Sequence, residues 1–306
     1  EYYVGQDLKT DGMVVTVTFE DESTQTTTAY TLSGYDKKTV GTQTVTVRYK
    51  GFSDTFDVTV KEAEAVSISG VTVEDKTYDG KPIEYSGTPT SDNYSGDYEY
   101  IWETADGTVL DSAPINAGNY KLVVKVPSDN LEYVGSTEVS FTINKANLTI
   151  TAANMSTNVN SVVPAYKFTS SGLVGDDALD TIFSCEYTKD SDVGTYVITP
   201  TDCTFTSGVK NNYNIEYVNG TLSIYGSSYN KTSKTVKIYS KYDTDIDCYI
   251  VSYAENGTLD GIKKEHCSLK ADKISTIDIS SLKISENDSI KIFLWDNNLT
   301  PVEITN

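Results

Sequence analysis

The stretch from Ile115 to Lys145 reads INAGNYKLVVKVPSDNLEYVGSTEVSFTINK, and its pattern returns on either side of it in the chain. A small polar turn ends in a glycine, an alternating strand follows, and a second strand closes the unit. The opening glycines are Gly41, Gly118 and Gly194, which lie at nearly equal intervals along the chain. A period of about 80 residues is too long for a solenoid repeat and is typical of small all-β domains in series.

The closing strands carry the same period, which divides the chain into modules. They contain Val60, Ile143 and Ile224, again at nearly equal intervals. The chain has 23 Tyr and only 8 Phe. Tyrosine favours β-strands, and its ring can pack in a core while its hydroxyl group reaches solvent. We therefore predict an all-β fold of four modules, with boundaries at residues 1–62, 63–145, 146–226 and 227–306.

The net charge of −20 restricts the partners of the chain. Such an acidic surface repels phosphate backbones, so we expect no nucleic acid. No apolar run approaches the roughly 20 residues that a membrane helix needs, so we expect no membrane insertion. Because the chain starts inside a strand-like run, EYYVG, we expect a monomeric piece of a longer, secreted or surface-exposed protein.

Four short motifs mark the first module. They are Y-x-V-G at 2–5, D-G at 11–12, S-G-Y-D at 33–36 and V-G-x-x-x-V-T-V-x-Y at 40–49. With these motifs the segment resembles the bacterial immunoglobulin-like domain, group 3, over almost its whole length. The resemblance implies an Ig-like β-sandwich.

The two middle modules carry other motifs: K-T-Y-D-G-K at 76–81, N-A-G-N-Y at 116–120 and N-Y-N-I-x-x-x-N-G-T-L-S-I at 212–224. With them, both modules resemble the mostly-β-grasp (MBG-type) modules of bacterial surface and secreted proteins. We predict one short helix here, around Asp176–Ile182, because Asp176 or Asp177 would cap it.

The last module ends in S-I-K-I-F-L-W-D-N-N at 289–298 and resembles a β-sandwich that closes large secreted proteins of Gram-positive bacteria. Asn256-Gly257 lies between two alternating runs and predicts a hairpin turn. Only 61–65, 144–147 and 226–228 are left as connections between modules. Connections this short favour restricted bending between modules over independent movement of each module.

The four cysteines form two similarly spaced pairs, Cys185/Cys203 and Cys248/Cys267. A hairpin folded at Gly194 or near Gly257 would place each pair roughly opposite. In an oxidising extracellular environment, cross-strand disulfides would stabilise modules this small. The alternative is four free thiols, some buried as small apolar residues. The spacing does not match a zinc site.

Asp243, Asp245 and Asp247 alternate, so they share one face of a strand. Together they could hold Ca²⁺, although the glycine and distal glutamate of an EF-hand loop are missing. A charged solvent face that deters aggregation is the favoured alternative, and we expect no other cofactor. His266 is the only histidine, and a nucleophilic arrangement with the adjacent Cys267 is strongly disfavoured against a solvated strand residue.

Tyr98, Tyr100 and Trp102 also share one strand face, where exposed rings could stack sugar rings. We favour the alternative that these rings form the core of their own module, and the same logic makes Trp295 a core or interface aromatic.

The predicted function is a stalk or spacer of a secreted or cell-surface bacterial protein, presenting a larger N-terminal part, without enzymatic activity. The alternative is an adhesion module that binds carbohydrate or a host glycoprotein through the Tyr98/Tyr100/Trp102 face.

Overall fold

The computed structural model describes residues 1–305, which divide into two compact units. One unit spans Glu1–Asn144, and the other begins at Lys145. Within the described residues the regular structure is β-strand apart from one 3₁₀ turn at Lys210–Asn212, so the predicted all-β class is confirmed. No helix in this part of the chain is long and apolar enough to span a membrane.

The first unit has fifteen strands. They are β1 (Tyr2–Tyr3), β2 (Val15–Thr18), β3 (Thr24–Thr27), β4 (Thr31–Ser33), β5 (Gly41–Tyr49), β6 (Phe52–Lys61), β7 (Glu64–Ala65), β8 (Ser69–Thr72), β9 (Lys76–Thr77), β10 (Ser86–Thr90), β11 (Glu99–Thr104), β12 (Val109–Leu110), β13 (Gly118–Lys125), β14 (Tyr133–Val134) and β15 (Ser136–Asn144). A four-stranded sheet β1-β6-β5-β4 and the hairpin β2-β3 make the N-terminal module. A five-stranded sheet β12-β11-β13-β15-β9 dominates the next one.

The second unit has twelve strands in its described part. They are β16 (Ala146–Ala152), β17 (Met155–Asn158), β18 (Phe168–Ser171), β19 (Ala178–Ser184), β20 (Gly194–Ser207), β21 (Tyr213–Val218), β22 (Gly220–Asn230), β23 (Thr235–Tyr239), β24 (Thr244–Tyr253), β25 (Leu259–Leu269), β26 (Ile274–Asp278) and β27 (Ser289–Trp295). The sheets are β18-β16-β21, the larger β19-β20-β22-β23-β26, and β25-β24-β27.

The repeat seen in the sequence is also a repeat of strand register. Each opening glycine begins a strand and lies directly opposite the apolar residue of the closing strand, in the pairs Gly41–Val60, Gly118–Ile143 and Gly194–Ile224. These three apolar side chains are at most 1% exposed. Gly41 and Gly194 have φ of 119° and 139°, a region that side chains rarely adopt, which explains glycine at these turns.

A short strand from earlier in the module also pairs in parallel with each closing strand. The parallel pairs are Tyr2–Val60, Lys76–Ile143 and Thr157–Ile224. Each of these short strands is followed by an equivalent hydrogen bond, from Val4 N–H to Lys61 O, from Tyr78 N–H to Asn144 O and from Val159 N–H to Tyr225 O. Three segments of different sequence therefore share one arrangement of short parallel strand, closing strand and opening-glycine hairpin.

The connection predicted at 226–228 is wrong as a linker, because these residues lie inside β22. The first half of β22 pairs with β20, up to Gly194–Ile224. Its second half pairs with β23, from Gly226–Tyr239 to Asn230–Thr235. One strand thus belongs to both the third and the fourth predicted modules, because its pairing with β23 begins where its pairing with β20 ends.

The helix predicted around Asp176–Ile182 is also wrong, because β19 occupies most of that range. Along β19, Leu179 is buried whereas its neighbours are exposed, which is the alternation of a half-buried strand. The strand pairs with β20 from Ala178 to Ser184. Long-range pairing has overridden the local capping signal of the aspartates.

The hairpin predicted at Asn256-Gly257 is confirmed. It joins β24 to β25, and Gly257 has φ of 79°. The Ala254 N–H donates to Thr258 O at 2.9 Å, and the Asn256 side chain accepts from the Thr258 N–H at 3.0 Å.

Candidate functional site

The predicted aromatic strip, Tyr98, Tyr100 and Trp102, faces the interior of its own module. In the register of β11 and β13, Trp102 lies opposite Leu122 and Tyr100 opposite Val124. Directly opposed residues share a face of the sheet. Leu122 and Val124 have no exposed surface, so this face is the core face.

Ring contacts within the module cover the strip further. The Trp102 and Phe141 ring centroids are 5.7 Å apart, edge to face, and the Tyr100 ring stacks on Tyr85 at 4.9 Å. Burial raises the pKa of the Tyr98 hydroxyl, and burial followed by the hydrogen bond with Tyr85 raises the pKa of Tyr100. Sugar stacking by this strip stays a prediction, and the contacts of the rings are those of core residues.

The three alternating aspartates have separate partners. Asp243 accepts hydrogen bonds from Lys270 at 2.9 Å and from the Ala271 N–H at 2.8 Å, whereas Asp245 is exposed. Asp247 is only 7% exposed and is paired with cationic side chains described below. Across residues 1–305 no group of three or more His, Cys, Asp and Glu side chains is placed to hold a metal ion, so the predicted Ca²⁺ ligands do not form one group.

The structure forms neither predicted disulfide, and all four cysteines are free thiols. Cys203 lies opposite Thr181 rather than Cys185, because β19 and β20 do not fold symmetrically about Gly194. Residues this far out of register cannot be bridged.

The second pair is closer but still unbonded. Cys248 lies opposite Glu265, whereas Cys267 lies opposite Ile246, so the two thiols are diagonal neighbours rather than opposed. Diagonal Cβ atoms are wider apart than a disulfide allows. Both thiols contact the core of the last module, and burial, with smaller contributions from nearby charges, raises the pKa of Cys248 to about 12.

The opposite face of the sheet β25-β24-β27 carries a group that the sequence reasoning did not assemble. We call it the outer aromatic face and define it by two cross-strand rows, His266–Asp247–Trp295 and Lys264–Tyr249–Phe293. The alternate residues Ile246, Cys248 and Ile250 of the central strand point into the core and are at most 1% exposed.

Polar and aromatic groups are fixed against each other on this face. The Asp247 carboxylate accepts a hydrogen bond from Lys264 Nζ at 2.7 Å, and its other oxygen lies 3.1 Å from His266 Nδ1. The bonds with Lys264 and His266 hold the pKa of Asp247 below its usual value. The Tyr249 and Trp295 ring centroids are 5.0 Å apart, and Phe293 and Trp295 are 5.7 Å apart.

The same geometry bears on whether His266 and Cys267 could form a nucleophilic pair. The side chain of His266 is 57% exposed, as expected for a solvated strand residue. Its neighbour Cys267 packs against the core on the other side of the strand. Since successive strand residues point to opposite faces, the two side chains do not form a Cys–His pair.

A cavity of about 850 Å³ opens in the N-terminal module between β2 and the turn of β5 and β6. Its apolar lining includes Val17, Val47 and Phe52, and Phe52 is 73% exposed. Asp21 and Asp54 line the same cavity, and each accepts a backbone N–H bond from a nearby turn or strand residue. These carboxylates therefore stabilise local structure.

The comparisons with known proteins concern two of the modules. Residues 1–60 match the family model of the bacterial Ig-like domain (group 3). Residues 148–223 match that of the MBG domain (YGX type). The chain combines an Ig-like and an MBG domain. The Ig-like plus MBG architecture predicted from the sequence is thus confirmed, while the MBG-type assignment of 63–145 and the sandwich type of 227–306 stay predictions.

No curated protein matches this chain. Among solved structures, it is similar to the N-terminal eight Ig domains of Down Syndrome Cell Adhesion Molecule, with 11% identity and a TM-score of 0.21. It is also similar to a SusE-like surface-located polysaccharide-binding protein of the Bacteroides thetaiotaomicron heparin utilisation locus, with 9% identity and a TM-score of 0.16. These alignments cover 86% and 82% of this chain, and 39% and 65% of the respective structures. Scores this low carry no inference about function.

Three residues of the outer aromatic face were missed at the sequence level: Lys264, Tyr249 and Phe293. Tyr249 has the same parity along β24 as the aspartates, Lys264 the same parity as His266 along β25, and Phe293 the same parity as Trp295 along β27. Reading parity would have grouped each of them with its neighbour on one strand. The sequence pattern alone could not show that β27 pairs with β24.

Proposed function

We propose that this chain is a non-catalytic stalk or spacer region of a secreted or cell-surface bacterial protein, which holds a larger functional part of that protein at a distance. Ig-like and MBG domains fit an accessory region of a surface protein. The observation that carries the proposal is the path of β22, which enters the sheets of two successive predicted modules without interruption. A spacer has to resist bending at its joints, and a shared strand provides that resistance.

Polar side chains reinforce the joint at β22. Asp192, in the loop before β20, accepts hydrogen bonds from Lys237 Nζ at 2.7 Å, Ser228 Oγ at 3.2 Å and Asn230 Nδ2 at 3.3 Å. Ser228 Oγ in turn accepts from the Val193 N–H at 3.0 Å. Lys237 belongs to β23, so this network ties the MBG loop to the next module.

Aromatic packing also reinforces the joint. The Tyr225 ring stacks on Tyr239 with centroids 5.0 Å apart and planes 10° apart. Both rings belong to the hydrophobic cluster of the MBG module, although Tyr239 lies on β23. The Tyr225 hydroxyl donates to Asp272 at 2.6 Å.

The N-terminal unit joins its two modules differently. The predicted connection 61–65 is partly strand, because Glu64–Ala65 forms β7, which pairs in parallel with β14 of the same module. Tyr3, in the Ig-like domain, donates a hydrogen bond to Glu132 at 3.0 Å. This joint therefore relies on a short connection and a side-chain contact rather than on a shared strand.

The test is whether residues 146–305 behave as one rigid body in the full chain. Residual dipolar couplings would be measured for backbone amides of β16–β21 and of β23–β27. We expect both sets to fit one alignment tensor, since the strand that joins them is continuous. Two tensors of different orientation or magnitude would show a flexible joint and overturn the spacer proposal.

An antibody-binding experiment on cells complements this measurement. The chain would be anchored on cells through its C-terminal end, with an epitope tag at residue 1. We expect a bulky antibody to bind this tag better than the same tag attached directly to the anchor. Equal antibody binding in the two formats would contradict a spacing role.

A further inference from the structure

The outer aromatic face lies on the solvent side of a sheet whose other side already provides a complete core. Ile246, Cys248 and Ile250 fill that core from the same strand that carries Asp247 and Tyr249 outward. The hydrophobic effect favours burial of aromatic rings, and clustered rings on an outer face often mark a binding surface. The core of the module therefore does not account for the three rings of this face.

The face is open to solvent along its cationic edge. The side chains of Lys264 and His266 are 53% and 57% exposed, and Ile262, in the next row of the same face, is 58% exposed. The Lys264 ammonium lies 5.3 Å from the centre of the Tyr249 ring. Hydrogen-bond donors and ring faces are thus presented side by side.

The chemistry of the face favours a sugar chain over a protein or a nucleic acid. Protein interfaces are depleted of charge at their centre, whereas the Asp247–Lys264 ion pair lies in the middle of this one. Phosphate backbones are disfavoured by the net charge of −20. A saccharide has apolar C–H faces that pack on aromatic rings and hydroxyl groups that both donate and accept hydrogen bonds, which matches the two kinds of group present.

The charge balance narrows the class of sugar. Residues 227–306 contain 12 acidic and 10 basic residues, so this module is nearly neutral although the whole chain is strongly acidic. On the face itself the carboxylate of Asp247 is compensated by Lys264. A neutral saccharide meets no charge repulsion there and needs no counter-charge.

We propose that the outer aromatic face binds a neutral polysaccharide chain. Sugar rings pack on Trp295, Phe293 and Tyr249. Their hydroxyl groups hydrogen-bond to Lys264 and His266, which Asp247 holds in place. This site differs in module and residues from the strip at Tyr98, and it adds ligand binding to the spacer role without depending on it.

The first experiment is native affinity electrophoresis of the full chain in gels that contain hydroxyethylcellulose, laminarin, xylan or galactomannan. We expect retardation in at least one gel, and a loss of at least tenfold in apparent affinity for Trp295→Ala and for Tyr249→Ala. Phe52→Ala is the matched control, because it removes an aromatic ring that is 73% exposed in another module. Retardation that survives Trp295→Ala, or no retardation in any gel, overturns the proposal.

A second measurement avoids changing the face itself. The chain has only two tryptophans, so Trp102→Phe leaves Trp295 as the only tryptophan reporter. With the polysaccharide that retards the chain, we expect Trp295 fluorescence to become less accessible to acrylamide. Unchanged quenching at saturating polysaccharide would place the binding elsewhere and overturn the proposal, whether or not the alanine variants fold.

Discussion

Replacing Asp192 by alanine removes the centre of the network that joins the MBG module to the last module. The change eliminates three hydrogen bonds at once and leaves Lys237 without its carboxylate partner. The side chains of Asp192 and Lys237 are 21% and 33% exposed, so the pair is partly shielded from water. We expect the second unit to lose stability without losing its fold.

The magnitude follows from the partners. A hydrogen bond to a charged group contributes a net ~1.5–3 kcal/mol, and exposed ion pairs contribute ~1 kcal/mol or less. Ser228, Asn230 and Lys237 retain access to water once the carboxylate is gone, which limits the loss to about 2 kcal/mol. For a unit of this size that free energy corresponds to a fall in Tm of about 4–8 °C.

Differential scanning calorimetry of the full chain would measure the effect. Asp202→Ala is a matched control, because Asp202 also pairs with a lysine in the same unit but is 58% exposed. We expect that control to change the free energy of unfolding much less than Asp192→Ala does, because an exposed ion pair contributes little. If the Tm values of Asp192→Ala and Asp202→Ala agree to within about 1 °C on repeat scans, the proposed reinforcement of the joint is refuted.

The same carboxylate gives a pH dependence with a defined sign. Burial alone would raise the pKa of Asp192, but hydrogen bonds from Lys237, Asn230 and Ser228, with the charge of Lys237, outweigh burial and lower it. A lowered folded-state pKa stabilises the fold above the unfolded-state pKa, and that stabilisation is lost as pH falls through the folded-state value. We therefore expect the difference in stability between the wild type and Asp192→Asn to be constant near neutrality and to shrink in acid, below about pH 4.

Three further predictions concern individual side chains. Trp102→Ala should destabilise the first unit by about 2–4 kcal/mol through loss of core packing, and an unchanged midpoint for that unit in calorimetry would mean that the strip is not core. Tyr225→Phe should reduce the loss of stability when the pH is raised. Burial and the bond to Asp272 raise the pKa of Tyr225 to about 12. The contribution of this hydroxyl group to the free energy of unfolding is therefore complete below about pH 10 and disappears as the pH approaches 12. Thiol titration should find all four cysteines reactive in denaturant and Cys248 unreactive in the native chain at neutral pH, and fewer than four thiols in denaturant would indicate a disulfide.

The repeat of opening glycines and closing strands could be predicted from the sequence because it depends on local signals. Glycine at a positive φ and alternating apolar residues are both visible in a single segment. Gly41 and Val60 therefore carried enough information to locate β5 and β6, and the structure places them opposite each other.

The failures share a different cause, since each depends on which strands pair. Gly226–Ser228 has the composition of a connection, but pairing with β23 keeps it extended. Asp176–Ile182 has a capping signal, but pairing with β20 makes it a strand from Ala178 onward. The register between β19 and β20 also contains two irregularities, which no spacing of cysteines reveals.

The candidate site shows the same difference between features visible in one segment and features that depend on strand pairing. Parity along one strand grouped Tyr100 with Trp102, and the structure places both on one face of β11, opposite Val124 and Leu122. The outer aromatic face needs two non-adjacent strands, β24 and β27, to be neighbours, and this information lies in the topology rather than in either segment.

In the N-terminal module the first strand, β1, and the closing strand, β6, pair in parallel, which has a consequence for a chain under tension. Because the two strands run in the same direction, a pull applied to the two ends of this module slides them past each other. The Tyr2–Val60 pairing and the bond from the Val4 N–H to Lys61 O are then loaded together, in shear, rather than opened one after another. We expect this module to resist a larger force than one whose terminal strands separate bond by bond.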